Sequence, residues 1–259
     1  MIVKTLGNKE NPAILLIPAM FCTSEMTGLI GKYFEADYYV ILPTLDGHHK
    51  EVREYISKEE DARKIVAWLH ENGIGSVKLL QGTSMGAEVA LEVASKLDLP
   101  VDHYFYDGGP FFHFPRLLRW IMAKKFTMFM TKIKGEDKDT AVDHLLHDPF
   151  VKKLGGDSLD SYRGMLNGFC EIGQWIDKKS VRRISDTCYK CDLPDLDAGK
   201  VRKSVFFFSE KEPARKSEKR LKKKYPEAVF DVGIGYGHCG FQITDPDTYA
   251  GYIRKITEN

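Results

Sequence analysis

The sequence predicts an α/β fold, a doubly wound and mostly parallel sheet that carries an inserted segment of helices. Three observations predict it. Short apolar runs of strand length alternate with amphipathic helical patterns up to residue 110. That alternation stops between residues 111 and 196, where only helical patterns rich in Phe, Met, Leu and Trp occur, and then resumes. Finally, in VKLLQGTSMGAEVALEVASKL (77–97) a strand of the buried type passes through Gly82-Thr83-Ser84-Met85-Gly86 straight into a helix. We therefore expect a core formed by residues 1–110 and 197–259, with residues 111–196 as a helical cap or lid.

The elements follow in order. Residues 2–6 read as a strand, 8–12 as a turn, and 13–17 (AILLI) as a wholly apolar strand of the parallel, buried kind. A loop from Pro18 leads to a short helix over 25–34, then a strand over 38–42 and a turn-rich loop, Pro43 to His49. Ser57 with Glu60 three residues later is a capping box and opens a helix to about His70, which Asn72-Gly73 stops. The strand that begins at Val77 and its helix come next, then a strand over 101–106 closed by Asp107-Gly108-Gly109-Pro110. Helices are expected over 115–134, 139–147, 158–172 and 178–186. After them come a strand over 204–208, a basic helix over 214–225, a strand over 229–234 and a final helix over 245–256.

Composition narrows the function classes. Of the 259 residues 43% are hydrophobic and 29% charged, enough apolar material for a sizeable core and against disorder. A formal net charge of +1 gives no overall electrostatic case for nucleic acid or an anionic membrane. No apolar stretch approaches the roughly 20 residues of a membrane span, and the opening residues lack the pattern of a signal peptide. Five cysteines, an odd number, do not close into a disulfide set, so a reducing cytoplasm and free thiols are expected. Cys188-Tyr189-Lys190-Cys191 stands alone, with no second pair at zinc spacing, and no motif supports a metal.

The chemistry centres on Ser84. Turning from strand to helix within a residue or two leaves its Oγ at the tip of the turn, with the helix N-terminus beneath it. Gly82 and Gly86 remove the side chains that would collide where strand and helix pack. A serine hydroxyl needs a base, and the base needs an orienting acid; in sheets of this kind they follow in the order Ser, Asp/Glu, His on loops after the later strands. His238, in Gly235-Tyr236-Gly237-His238-Cys239-Gly240 after the last strand, is the expected base. Glu212, before Pro213 after the 204–208 strand, is the expected acid, with Asp107 as its competitor and Glu210 as surface. The oxyanion donors are expected at the backbone of Met85 and, in the loop after the 13–17 strand, of Met20, with Phe21 as the alternative.

Taken together, Ile14-Leu-Leu-Ile-Pro-Ala-Met20, Leu42-Pro-Thr-Leu-Asp-Gly-His48, Gly82 to Gly86, Ser209-Glu-Lys-Glu-Pro213 and Gly237-His238 resemble the α/β-hydrolase superfamily, in order along nearly the whole chain. The resemblance implies Ser84 as nucleophile, His238 as base and Glu212 as acid, with no cofactor. Two features depart from the family pattern: Pro18-Ala19 replaces the usual His-Gly, and Glu212 replaces Asp. The resulting expectation is a cytoplasmic serine hydrolase, monomeric or homodimeric, acting on small or medium hydrophobic esters. The same residues would serve a thioesterase, a C–C hydrolase, a proline-type aminopeptidase or a lyase. A non-catalytic ligand-binding member is the different class. The apolar run from Phe111 to Met122 is expected both to pack the cap and to wall a pocket. The basic run KEPARKSEKRLKKK (211–224) reads as a solvated helix face, and no chemistry is assigned to His48 or His49.

Overall fold

The computed structural model describes residues 1–149, 151–152 and 156–258. Seven strands form one sheet: β1 (Ile2–Leu6), β2 (Ala13–Ile17), β3 (Tyr39–Thr44), β4 (Val77–Thr83), β5 (Val101–Asp107), β6 (Ser204–Ser209) and β7 (Val229–Gly233). Their spatial order is β1-β3-β2-β4-β5-β6-β7. Only β1 runs antiparallel, against β3; every other neighbouring pair is parallel.

Every residue of β2 and of β3 is buried, which is why these runs read as continuous rather than alternating apolar sequence. The side-chain period of two still operates, because it sends alternate residues to two different cores. Ala13, Leu15 and Ile17 join the larger core, whereas Ile14 and Leu16 join the smaller one on the opposite face. Helices α2 (Lys58–Glu71) and α3 (Met85–Lys96) supply Ile65, Leu69, Val89 and Val93 to the larger core. Helix α1 (Ser24–Gly31) contributes Ile30 to the smaller core. Both faces are thus covered, as a parallel sheet requires. Ser57 caps α2 by accepting from the backbone N–H of Glu60 at 3.2 Å, the first half of the expected capping box.

Between β5 and β6 the described residues hold four α-helices that precede the core's return: α4 (Arg116–Ile133), α5 (Lys138–His147), α6 (Arg163–Gly173) and α7 (Lys178–Tyr189). A short α8 (Ala198–Arg202) then leads into β6. The segment is pinned where it leaves and rejoins the core. Phe114 N–H donates to Tyr189 O at 2.9 Å and Cys191 N–H to Phe112 O at 2.7 Å. Phe112 stacks on Phe114 with ring centres 4.8 Å apart, and Phe114 on Tyr189 at 5.4 Å.

Several elements differ from expectation. The stretch expected as one helix over 158–172 enters through a 3-10 turn, Gly156–Tyr162, before α6. The basic helix expected over 214–225 is a 3-10 turn, Pro213–Ser217, followed by α9 (Glu218–Lys224). The Ser217 hydroxyl bonds back to Ala214 O at 2.7 Å and closes the first turn on itself. The chain ends with α10 (Gly240–Thr244) and α11 (Pro246–Glu258). Helices α8 and α10 were not expected, because five residues are too few to show a helical period. All five cysteines are free and buried.

Candidate active site

Ser84 stands between the end of β4 and the first residue of α3, at φ 54° and ψ −121°. A non-glycine residue at positive φ is strained, and here the surrounding packing over-determines it. Ser84 N–H donates to Asp107 O at the end of β5 (2.7 Å), and Ala87 N–H to Ser84 O (2.9 Å). A Cβ on Gly82 would fall 2.2 Å from Gly86 O, and one on Gly86 only 2.3 Å from Pro18 O. The turn is therefore closed on one side by its own helix and on the other by the loop that follows β2. Neither approach leaves room for a methyl group.

His238 lies in the loop between β7 and α10, and its Nε2 sits 2.9 Å from Ser84 Oγ. Its Nδ1 is 2.5 Å from Glu212 Oε2. Glu212 follows β6 and is fixed twice: its Oε1 accepts from Ser209 N–H at 2.6 Å, and its own N–H donates to Ser209 O at 3.2 Å. Pro213, at the first position of the next turn, fixes the chain direction immediately after it. Lys211 N–H donates to Tyr236 O at 3.1 Å and ties the Glu212 loop to the His238 loop. The longer glutamate reach is accommodated at Gly108, where a Cβ would lie 2.8 Å from Glu212 Oε2.

The competing acid is close by but turned elsewhere. Asp107 Oδ2 accepts from Tyr249 OH at 2.7 Å. Burial, reinforced by the nearby charge of Glu212, pushes its carboxyl up to about 7. Burial disfavours the His238 imidazolium, but the adjacent Cys239 thiol and the Glu212 carboxylate outweigh it and hold the imidazole well above the ordinary histidine range.

Of the expected oxyanion residues, Met85 is the first residue of α3, where backbone N–H groups have no acceptor within the helix. Met20 lines the cavity beside Ser84. Phe21, at φ 57°, is fully buried and turned against Phe169 and His48, at ring-centre distances of 5.4 and 5.9 Å. His48 itself is buried, with Nδ1 on Asp46 O at 2.8 Å, and burial pulls its pKa down to about 4.

Ser84 and His238 open into a cavity of about 460 Å³ walled by apolar side chains of the β5–β6 helices, among them Met122, Phe126, Phe129, Met165 and Phe169. Tyr162 also lines it and donates its hydroxyl to His238 O at 2.6 Å, bracing the histidine loop from the helical segment. Sequence reasoning missed this residue. It belongs to no motif, and only the folded position of the helical segment brings it to the loop.

A scan against protein-family models and a search of curated proteins return no match. Solved structures do match over almost the whole chain. One is MGS-M2, an α/β-hydrolase enzyme from a Medee basin deep-sea metagenome library, at 12% identity over 100% of this chain and 94% of that one (TM-score 0.75). Another is the enol-lactonase from Burkholderia xenovorans LB400, at 12% identity over 100% and 96% (TM-score 0.74). A third is a thermophilic esterase from Thermogutta terrifontis, at 14% identity over 98% and 91% (TM-score 0.70). Likeness this complete at so low an identity speaks to architecture alone. With its strand order, its parallel pairing and the serine turn after β4, the chain has the α/β-hydrolase fold.

Proposed function

We propose that the protein is a serine hydrolase that cleaves carboxylic esters with a small or medium hydrophobic group. One observation carries this reading: Ser84 Oγ, His238 and Glu212 form an unbroken hydrogen-bonded chain, 2.9 and 2.5 Å, opening into an apolar cavity. In this reading Ser84 Oγ attacks the ester carbonyl as its proton passes to His238 Nε2. Glu212 holds the imidazole through Nδ1–H and stabilises the imidazolium that forms. The backbone N–H groups of Met85 and Met20 receive the oxyanion, each worth on the order of 100- to 1,000-fold in rate. His238 returns its proton to the departing alcohol, leaving an acyl-serine. Water, deprotonated by the same histidine, then releases the acid.

Residues 1–110 and 197–259 act as the catalytic core, and residues 111–196 as the cap whose apolar wall selects the substrate. Two of the matched structures are named as an esterase and an enol-lactonase, which supports the reaction class. The test is turnover of p-nitrophenyl esters from acetate to decanoate, with fluorophosphonate labelling. Wild type should turn over and be labelled at Ser84, and Ser84→Ala should do neither. An intact wild-type protein that cleaves no ester and takes no label would overturn the reading.

A further inference from the structure

The outer face of α4 is built against the usual rule for a helix exposed to water. Only Phe126, Met130 and Ile133 of its 18 residues are buried. Leu117, Trp120 and Met128 lie outward, 70%, 60% and 56% exposed, and at helical spacing they form one stripe. The same helix carries five cations and no carboxylate, and α7, packed beside it, carries four cations and one carboxylate. A chain with 38 basic and 37 acidic residues thus concentrates nine cations on two neighbouring helices.

Between the two helices runs a groove of about 530 Å³ that includes Arg116, Arg119, Lys124, Arg182 and Trp120. Its one carboxylate, Asp186, stands 3.7 Å from Arg119. The buried Nε of Arg119 has no hydrogen-bond partner among the described residues. Arg116 and Arg182 form no ion pair among the described residues. Two cations of α7 outside the groove, Lys179 and Arg183, pair with Glu54.

We propose that this face docks on an anionic lipid surface, with headgroup phosphates in the Arg116/Arg119/Lys124/Arg182 groove and Leu117 and Trp120 in the acyl boundary. Large apolar side chains interleaved with Lys and Arg are what an interfacial helix needs: the apolar groups enter the interface while the cationic stems reach back to the headgroups. A second copy of this chain fits poorly, because a two-fold contact through α4 would set its cations against the same cations of the copy. Among the described residues no helix is long and apolar enough to cross a membrane, so the contact is with the surface. Met128 borders both the groove and the cavity at Ser84, so the proposed contact lies beside that cavity.

The proposal does not depend on hydrolysis and is tested without it. Full-length Ser84→Ala is mixed with vesicles of phosphatidylcholine alone, or with a third of the lipid replaced by phosphatidylglycerol, and sedimented. Binding should require the anionic lipid and weaken with salt. Lys124→Glu with Arg182→Glu should lower the partition coefficient at least about 25-fold, from about fivefold for each cation lost near a charged leaflet. Leu117→Ser with Trp120→Ser should lower it too, and both pairs should keep the melting temperature of Ser84→Ala. Equal binding to both vesicles, no binding to either, or a concentration-dependent dimer dissolved by Trp120→Ser would each overturn the proposal.

Discussion

Helices α3 and α4 both carry long apolar stretches, yet they meet opposite fates. In α3 every residue from Met85 to Ala94 is buried, sealed between the sheet and its neighbours. In α4 the apolar residues are shared out: Phe126 and Met130 pack inward, Met122 and Phe129 wall the cavity, and Leu117 and Trp120 meet solvent. The difference teaches where this molecule can afford change. A helix that begins at the strained Ser84 turn must hold its first turn to a fraction of an ångström, and burial on all sides does so. A helix that shapes a cavity and an outer surface needs only enough packing to stay in place.

The largest expected effect breaks the proposed chemistry while leaving the α3 packing intact. Ser84→Ala should lower kcat/KM for p-nitrophenyl esters by about 10⁴-fold or more, with the melting temperature within a few degrees of wild type. A residual rate close to wild type would mean that the strain at φ 54° serves something other than Ser84 Oγ.

Glu212→Gln comes next, with a loss on the order of 10³-fold. It also has a pH signature. His238 must be neutral to accept a proton, and its pKa is held above the usual value of about 6.5, so activity should climb with pH above that value. Removing the carboxylate should move this rise to lower pH. The folding linkage has the matching sign. His238 contributes stability fully below its unfolded pKa and loses it as pH rises through the folded one. An unchanged pH profile in the variant would shift the acid role to Asp107.

Stability should then separate the two regions. Leu15→Ala in β2, at 1% exposure, should cost about 2–5 kcal/mol in urea denaturation, as core cavities do. Leu117→Ala in α4, at 70%, should stay within about 0.5 kcal/mol. Comparable costs at the two sites would erase the contrast.

The smallest effect is a slope. The Asp107 carboxyl sits at about 7 when folded, against an ordinary 3.8, so the fold favours its protonated form. Its contribution is complete below pH 3.8 and fades as pH rises through 7. Asp107→Asn mimics the protonated group. Its advantage in urea midpoint over wild type should therefore be larger at pH 8 than at pH 5, and an equal gap at both would refute the assignment.

Much of this was legible in the chain because burial and backbone geometry leave local marks. AILLI, five apolar residues bounded by proline on both sides, reads as a strand buried on both faces, and Gly82-x-Ser84-x-Gly86 between a strand and a helix marks a turn too tight for side chains. Ser84, Glu212 and His238, which the structure brings within hydrogen-bond reach, each follow a readable strand end. What stayed hidden is set by tertiary placement. Tyr162 reaches the histidine loop across 76 positions of sequence. The groove cations of α4 and α7, Arg116, Arg119, Lys124 and Arg182, vanish into a net charge of +1 until packing brings them together.

The clasp at residues 112–114 and 189–191 has a consequence for how this chain can vary. Two backbone hydrogen bonds and a stack of Phe112, Phe114 and Tyr189 bring the two ends of the helical segment side by side before any of its helices is counted. The loop-closure cost seen by the sheet is then set at the clasp, and lengthening what lies beyond it adds only about 0.6 kcal/mol per doubling. The closing of the sheet is thus nearly independent of the length threaded through that clasp, whereas the brace from Tyr162 to His238 O is not. A different set of helices grafted between residues 114 and 189 would meet the same β5 and β6, and would place a newly shaped cavity over the same Ser84 turn.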